Sequence, residues 1–244
     1  MEGPAVYYSP RAWIEDRAGY VAADWLHAER WPPPGVRPHR LYLRGDGSLA
    51  ADGPAGAPRS FDYDPRRPVP TLGGRNMLID AGPRDQRPVQ LLPNYGLIYR
   101  GDPLEDDLTI AGAVRLILHI QSNCPDTDFV AKLIELMPDG RAMMLMDGVV
   151  RAMYRDPSGE PRPLVPGQVE RLTIDLGNIH HTFAAGSRIE VDVTSSNFPR
   201  RARNTNSGNP VLARDADGAI RVATNTVHHA EGLPSFVELP VRTR

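Results

Sequence analysis

Two pairs of adjacent histidines, His180-His181 and His228-His229, are the side chains here best suited to moving protons or holding a metal. Imidazole titrates near neutrality and is a frequent metal ligand. Neighbouring residues on a strand point to opposite faces, so one pair cannot offer two ligands, or an acid and a base, to a single site unless it lies in a loop. If the two pairs met at one concave pocket, they would support acid–base chemistry of the lyase, isomerase or cyclase kind. The alternative is that each pair sits in a loop or at a strand end and bonds to backbone.

Other chemistries are poorly supplied. A serine nucleophile of the α/β-hydrolase kind needs the sharp Gly-x-Ser-x-Gly turn, whose small residues let the chain pass close to its neighbours. The chain has no such pentapeptide; Ser48 and Ser187 each follow a glycine but read as turn residues. No glycine-rich phosphate loop occurs. Asn123, Asp126 and Asp128 have oxygens at the alternating positions that calcium uses, a spacing equally common in turns and strand starts, and a structural role is expected for them. The single cysteine, Cys124, excludes an intrachain disulfide and a multi-cysteine zinc site, and favours a reducing compartment. No metal and no cofactor is predicted. The aromatic residues Trp13, Trp25, Trp31, Tyr95 and Tyr99 would have to stand exposed together to stack on a sugar, as in a carbohydrate-binding module; at 7% aromatic content, packing is the expected use.

A net charge of −2 gives no general attraction for nucleic acid or an anionic membrane, and neither is predicted as a partner. The cluster Arg200, Arg201, Arg203 reads as a solvated loop. Charges and prolines between Met1 and Leu26 fit neither a signal peptide nor a spanning helix, so a cytoplasmic protein is expected.

The elements that must carry these residues are strands. The 25 prolines and 22 glycines fall between short apolar stretches, which punctuates the chain as sheet and turn. In Gly186 to Ser195, Ile189, Val191 and Val193 alternate with Glu190, Asp192 and Thr194, the pattern of a half-buried strand with one apolar and one polar face. Val169 to Leu176 and Ser235 to Val241 repeat the alternation. Ala113 to Ile120 and Phe129 to Met137 are apolar on both faces and belong in the middle of a sandwich. Met137-Pro138-Asp139-Gly140 reads as a hairpin turn, and Arg40 to Leu43 as a further strand. Ala23 to Ala28 reads as a short helix ended by Pro32-Pro33-Pro34. The stretch Gly53 to Pro93 is irregular and suits a functional surface or a cover laid against a partner. Within it, Met77 to Ile79 also fits an ordinary strand. The sum is an all-β, antiparallel jelly-roll β-sandwich with few short helices.

Several strings in fixed order carry a resemblance. They include Trp31-Pro32-Pro33-Pro34-Gly35, Tyr63-Asp64-Pro65, Pro68-Val69-Pro70-Thr71-Leu72-Gly73-Gly74, Gly82-Pro83-Arg84-Asp85-Gln86-Arg87, Asp126-Thr127-Asp128-Phe129, Ser195-Ser196-Asn197-Phe198-Pro199-Arg200, Arg203-Asn204-Thr205-Asn206 and Thr226-Val227-His228-His229. Together they resemble the C-terminal non-catalytic domain of the X-Pro dipeptidyl-peptidase and cocaine esterase (CocE/NonD) family of α/β-hydrolases. The resemblance implies a galactose-binding-domain-like jelly roll over 31–244 behind a lead-in of 1–30, with no catalytic residue of its own. It further implies an α/β-hydrolase catalytic domain or chain as partner. The segment after the Gly-Gly pair, Arg75, Asn76, Met77 and Leu78, would then approach the acyl pocket. Without that partner, an uncovered apolar patch near Asn76 to Leu92 would promote homo-oligomers.

Overall fold

The computed structural model describes residues 26–77, 79 and 81–243 with their side chains, and ahead of them the backbone of 6–8, 11–13 and 20–22. The strands are, in chain order, β1 (Val6–Tyr8), β2 (Arg11–Trp13), β3 (Tyr20–Ala22), β4 (Leu26–Ala28), β5 (Val36–Leu43), β6 (Leu49–Ala50) and β7 (Arg59–Tyr63). A short helix, α1 (Arg87–Gln90), follows. Then come β8 (Leu97–Arg100), β9 (Leu108–Ser122), β10 (Asp128–Leu136), β11 (Ala142–Arg151), β12 (Glu170–Phe183), β13 (Arg188–Thr194), β14 (Ala223–Val227) and β15 (Phe236–Arg242).

Two sheets face one another. The larger runs β3-β2-β12-β9-β15-β5-β6, with β14 joining β9 and β7 joining β14; the smaller runs β11-β10-β13-β8. All pairings are antiparallel except the single β2–β12 register of Arg11 opposite His181. Residues on the inner faces, among them Leu116, Leu118, Phe129, Leu133, Leu172, Ile174, Val191 and Leu239, form one buried core between the sheets. Full burial of each such side chain contributes roughly 1.5–3 kcal/mol. The hairpin between β10 and β11 closes as its sequence requires, Gly140 N–H donating to the Met137 carbonyl at 2.9 Å. The chain is thus an all-β antiparallel sandwich. Among the described residues no helix is long and apolar enough to cross a membrane.

Three expectations need correcting. Leu26–Ala28 is the strand β4, paired with β1, and not part of a helix. A six-residue helix has too few hydrogen bonds to offset its nucleation cost, and strand pairing satisfies the same backbone. Residues 23–25 lie outside the described ones. Met77 and Ile79 are not in a strand. Finally, the polar face of β13 is not in water: Glu190, Asp192 and Thr194 are fully buried. The reason is a third layer. The irregular segment from about Val69 to Tyr95, α1 included, lies across the outer face of the smaller sheet, burying its own small cluster of Val69, Val89 and Tyr95.

Because Leu133 is fully buried between the sheets, Leu133→Ala is expected to lower stability by about 2–5 kcal/mol in urea unfolding. A loss under 1 kcal/mol would mean that this core is loosely packed.

Candidate partner-facing site

The outer face of the smaller sheet carries a row of charges. Lys132 on β10 stands opposite Asp147 of β11 on one side and opposite Asp192 of β13 on the other. Lys132 is only 1% exposed and Asp192 is wholly buried. Burial drives the Lys132 ammonium below its usual range against the pull of Asp192 and Asp147, while burial and the neighbouring Glu190 drive the Asp192 carboxyl upward. Isolated charges there would be prohibitively costly, and each of the three groups is bonded, although Asp147 Oδ1 and Asp192 Oδ1 have no hydrogen-bond partner.

The covering layer supplies most of those bonds. Lys132 Nζ donates to Gln86 Oε1 at 2.8 Å and to the Tyr95 hydroxyl at 3.2 Å, and Tyr95 donates to Asp192 Oδ2 at 2.6 Å. Gln90 Nε2 spans Glu190 Oε1 at 2.6 Å and Asp192 Oδ2 at 2.9 Å. Asp147 takes a hydrogen bond from Asn197 Nδ2 at 3.0 Å and an ion pair from Arg200. Arg200, expected in a solvated loop, is therefore a structural cation.

One loop is held on top of this floor. Gly74 and Gly82 exchange backbone hydrogen bonds at 2.7 and 3.0 Å, closing residues 75–81 at their base. Asn76 locks the inside: its Nδ2 donates to the Gly73 carbonyl and its Oδ1 accepts the Ile79 N–H, both at 3.0 Å. Arg75 pins the loop to the sheets, Nη2 donating to the carbonyls of Leu176 at 2.7 Å and Asp147 at 3.3 Å. It lies over the β12 bulge at Gly177, whose φ is +95° and where a Cβ would come within 2.8 Å of the guanidinium. The outcome is an outward-pointing Met77 that is 97% exposed, with Leu91 exposed at the end of α1. Leu78 lies outside the described residues.

The four histidines are not brought together. His181 faces the interior, where its Nε2 meets Glu135 Oε2 at 2.9 Å. Burial alone would raise the Glu135 carboxyl, but the His181 bond, with donors from Ser187 and Ala184, holds it below the usual range. His180 points the other way, into a cavity it lines with Thr182 and Arg242. His229 is buried between Tyr99 and the Ala57 carbonyl, each at 2.9 Å: Nδ1–H donates to the carbonyl, and Nε2 accepts from Tyr99. His228 follows β14 beside His119, and its N–H donates to the His119 carbonyl.

Asn123, Asp126 and Asp128 likewise go to structure. Asp126 pairs with Arg151 at 2.6 Å, Asn204 bridges Asp126 and Asp128 at 2.9 and 2.8 Å, and Asn123 Oδ1 accepts the Thr224 N–H at 2.8 Å. Burial pushes Asp128 up to about 7. Tyr95 and Tyr99 are buried, and Trp31 is half-buried with its Nε1–H on Asn178 Oδ1 at 2.7 Å. Trp13 and Trp25 lie outside the residues described with side chains, and the other three do not stand exposed together. Lys132, Asp147 and Gln90 escaped the sequence reading, and Gln86 entered it only within a family string. Gly177 had a legible signal, a glycine inside an alternating run, which marks a bulge or a close backbone approach.

Two packed antiparallel sheets, with a pinned loop over the outer face of the smaller one, define a β-sandwich module. The model of the X-Pro dipeptidyl-peptidase C-terminal non-catalytic domain matches residues 5–238, and the chain belongs to this family. It is 35% identical over 233 residues to cocaine esterase from Rhodococcus sp. (strain MB1 Bresler), covering 91% of this chain and 40% of that protein. Among solved structures it is similar to an aminopeptidase from a marine sediment Thaumarchaeota archaeon, with TM-score 0.83 and 29% identity over 90% of this chain and 39% of that one. It is also similar to an α-amino acid ester hydrolase, with TM-score 0.79 and 28% identity over the same shares. The chain thus spans about two fifths of the length of these proteins.

Two outcomes follow from this geometry. Gly177→Ala puts a methyl group where Arg75 lies, so amide exchange by mass spectrometry in residues 74–82 is expected to rise well above wild type while core protection persists; unchanged exchange would remove Arg75 as the pin. Burial lowers the His229 pKa from 6.5, so the folded state binds its proton less readily than the unfolded chain does. The contribution of a neutral His229 is complete above about pH 6.5 and is lost as pH falls through the lower folded value. The stability gap between wild type and His229→Asn, from urea midpoints, is therefore expected to narrow between pH 7.5 and 5; a constant gap would contradict this.

Proposed function

We propose that this chain is the module that packs on an α/β-hydrolase catalytic domain and helps to shape its acyl pocket, with Arg75, Asn76, Met77 and Leu78 as the contacting segment. The observation that carries the reading is the loop closed at Gly74 and Gly82, which holds Met77 out at 97% exposure on a bonded base. A side chain so apolar gains nothing from water, and a base so heavily bonded suits a surface with a neighbour to meet. The similar proteins named above, an esterase, an ester hydrolase and an aminopeptidase, are all longer than this chain.

The same proposal takes residues 1–30 as a lead-in and 31–244 as the domain. It takes the strand connectivity as a galactose-binding-like jelly roll, which a core built from long antiparallel strands supports. A cytoplasmic location suits the one free, buried Cys124. Where the hydrolase domain is missing, Met77 and Leu91 would favour self-association.

Purified alone, the chain is expected neither to hydrolyse 4-nitrophenyl acetate with saturation kinetics nor to be labelled by a fluorophosphonate. Joined to the catalytic domain of a family esterase, it is expected to support ester hydrolysis that Met77→Asp lowers in kcat/KM by about tenfold or more, with the melting temperature unchanged. Saturable, fluorophosphonate-sensitive turnover by the chain alone would refute the reading.

A further inference from the structure

The two sheets differ in width, and the mismatch leaves a corner open. The smaller sheet ends at β8, and the chain from Gly101 to Asp107 crosses the gap between the sheets without forming a strand. It is pinned to β13 and the turn before it by Gly101 N–H to the Ile189 carbonyl at 2.9 Å and Leu104 N–H to the Ser187 carbonyl at 2.8 Å. Beneath it, His39 and Leu41, at alternate positions of β5 with the buried Leu43, line the space. The space left is a cavity of about 690 Å³. That volume lies within the range of small-molecule sites.

The cavity floor is apolar: Leu41, Leu49, Leu104, Leu108 and Ile189 line it and belong to, or pack against, the main core. Its mouth is acidic. Arg44 is the one arginine in the lining, and its charge is matched by an ion pair with Asp52, its Nε–H going to the Gly53 carbonyl at 3.0 Å. Asp102 is fully exposed, with only a loose 3.9 Å approach from Arg188, and Glu105 is exposed beside it. An occupant that fills the floor and matches the mouth carries an apolar body and a positive end.

We propose that this corner is a binding site for an amphipathic amine, its hydrocarbon seated on the leucines and its ammonium at Asp102 and Glu105. No residue between 64 and 95 lines the cavity, so the site stands apart from the loop assigned to the hydrolase partner.

The test is calorimetric titration of the whole chain with 4-phenylbutylamine, 4-phenylbutanol and 4-phenylbutanoate at low salt. The amine is expected to bind saturably and about three- to fivefold more tightly than the alcohol, the scale of an exposed charge pair, with the carboxylate weakest. Asp102→Asn with Glu105→Gln is expected to bring the amine down to the alcohol's affinity and leave the alcohol unchanged. Ala51→Trp, at an exposed lining position, is expected to abolish binding of both without lowering the melting temperature. No saturable amine binding, equal affinities for amine and carboxylate, or amine binding untouched by the double substitution would each overturn the proposal. Failure here leaves the hydrolase-docking reading intact, because that reading concerns a different face and a different readout.

Discussion

The buried row of Asp147, Lys132 and Asp192 is the constraint from which the rest of this structure's irregular half follows. A sheet face that carries three charges cannot pack against an apolar layer, and one left in water would have no reason to be covered. Here it is covered, and the cover is chosen by the charges: glutamine amides and a tyrosine hydroxyl, groups that donate and accept without adding charge, lie over Lys132 and Asp192. In a low-dielectric layer those bonds are individually stronger than in water, and an unmade one is correspondingly costly. That combination selects one placement of the 69–95 segment among the many that an apolar face would tolerate.

Placement of the loop follows from placement of the cover. Asp147 is where the two meet, since its carboxylate holds Asn197 and Arg200 while its backbone carbonyl receives Arg75. An irregular segment with few ladder hydrogen bonds would ordinarily be among the first parts of a domain to open. Side-chain bonds to a sheet face stand in here for the missing ladder. The exposed Met77 is thereby held by a rigid base, and a contact made through it would cost less ordering entropy than one made by a free loop.

Most of the sandwich was legible in the sequence because period-2 alternation is a local property. The strands containing Ile189, Leu172 and Val237, and the hairpin at Met137 to Gly140, follow directly from it. What alternation cannot report is whether the polar side of a strand meets water. Glu190 and Asp192 have the same pattern whether solvated or buried, and their partners Gln90 and Tyr95 lie about a hundred residues earlier in a stretch with no periodicity. Lys132 was hidden inside an apolar run for the same reason. Arg200 looked like a loop arginine because its partner, Asp147, is 53 residues away. The separation of the histidines, by contrast, was half readable: adjacency on a strand forbids His180 and His181 from sharing a site, and only the fold could show that His229 is committed to Tyr99 and a carbonyl.

The two faces proposed to meet partners share one physical origin, which is the inequality of the sheets. Four strands cannot cover the inner surface of a sheet seven strands across. Part of the excess is left as the leucine-floored corner beside Gly101. On its other side the narrow sheet presents a face too polar to seal with another sheet, so a loop-rich layer seals it instead. Regular ladders satisfy backbone and alternate side chains so completely that they leave little for a ligand to add. The two proposed recognition sites both lie where the ladders stop, one where the smaller sheet runs out of strands and the other over its charges.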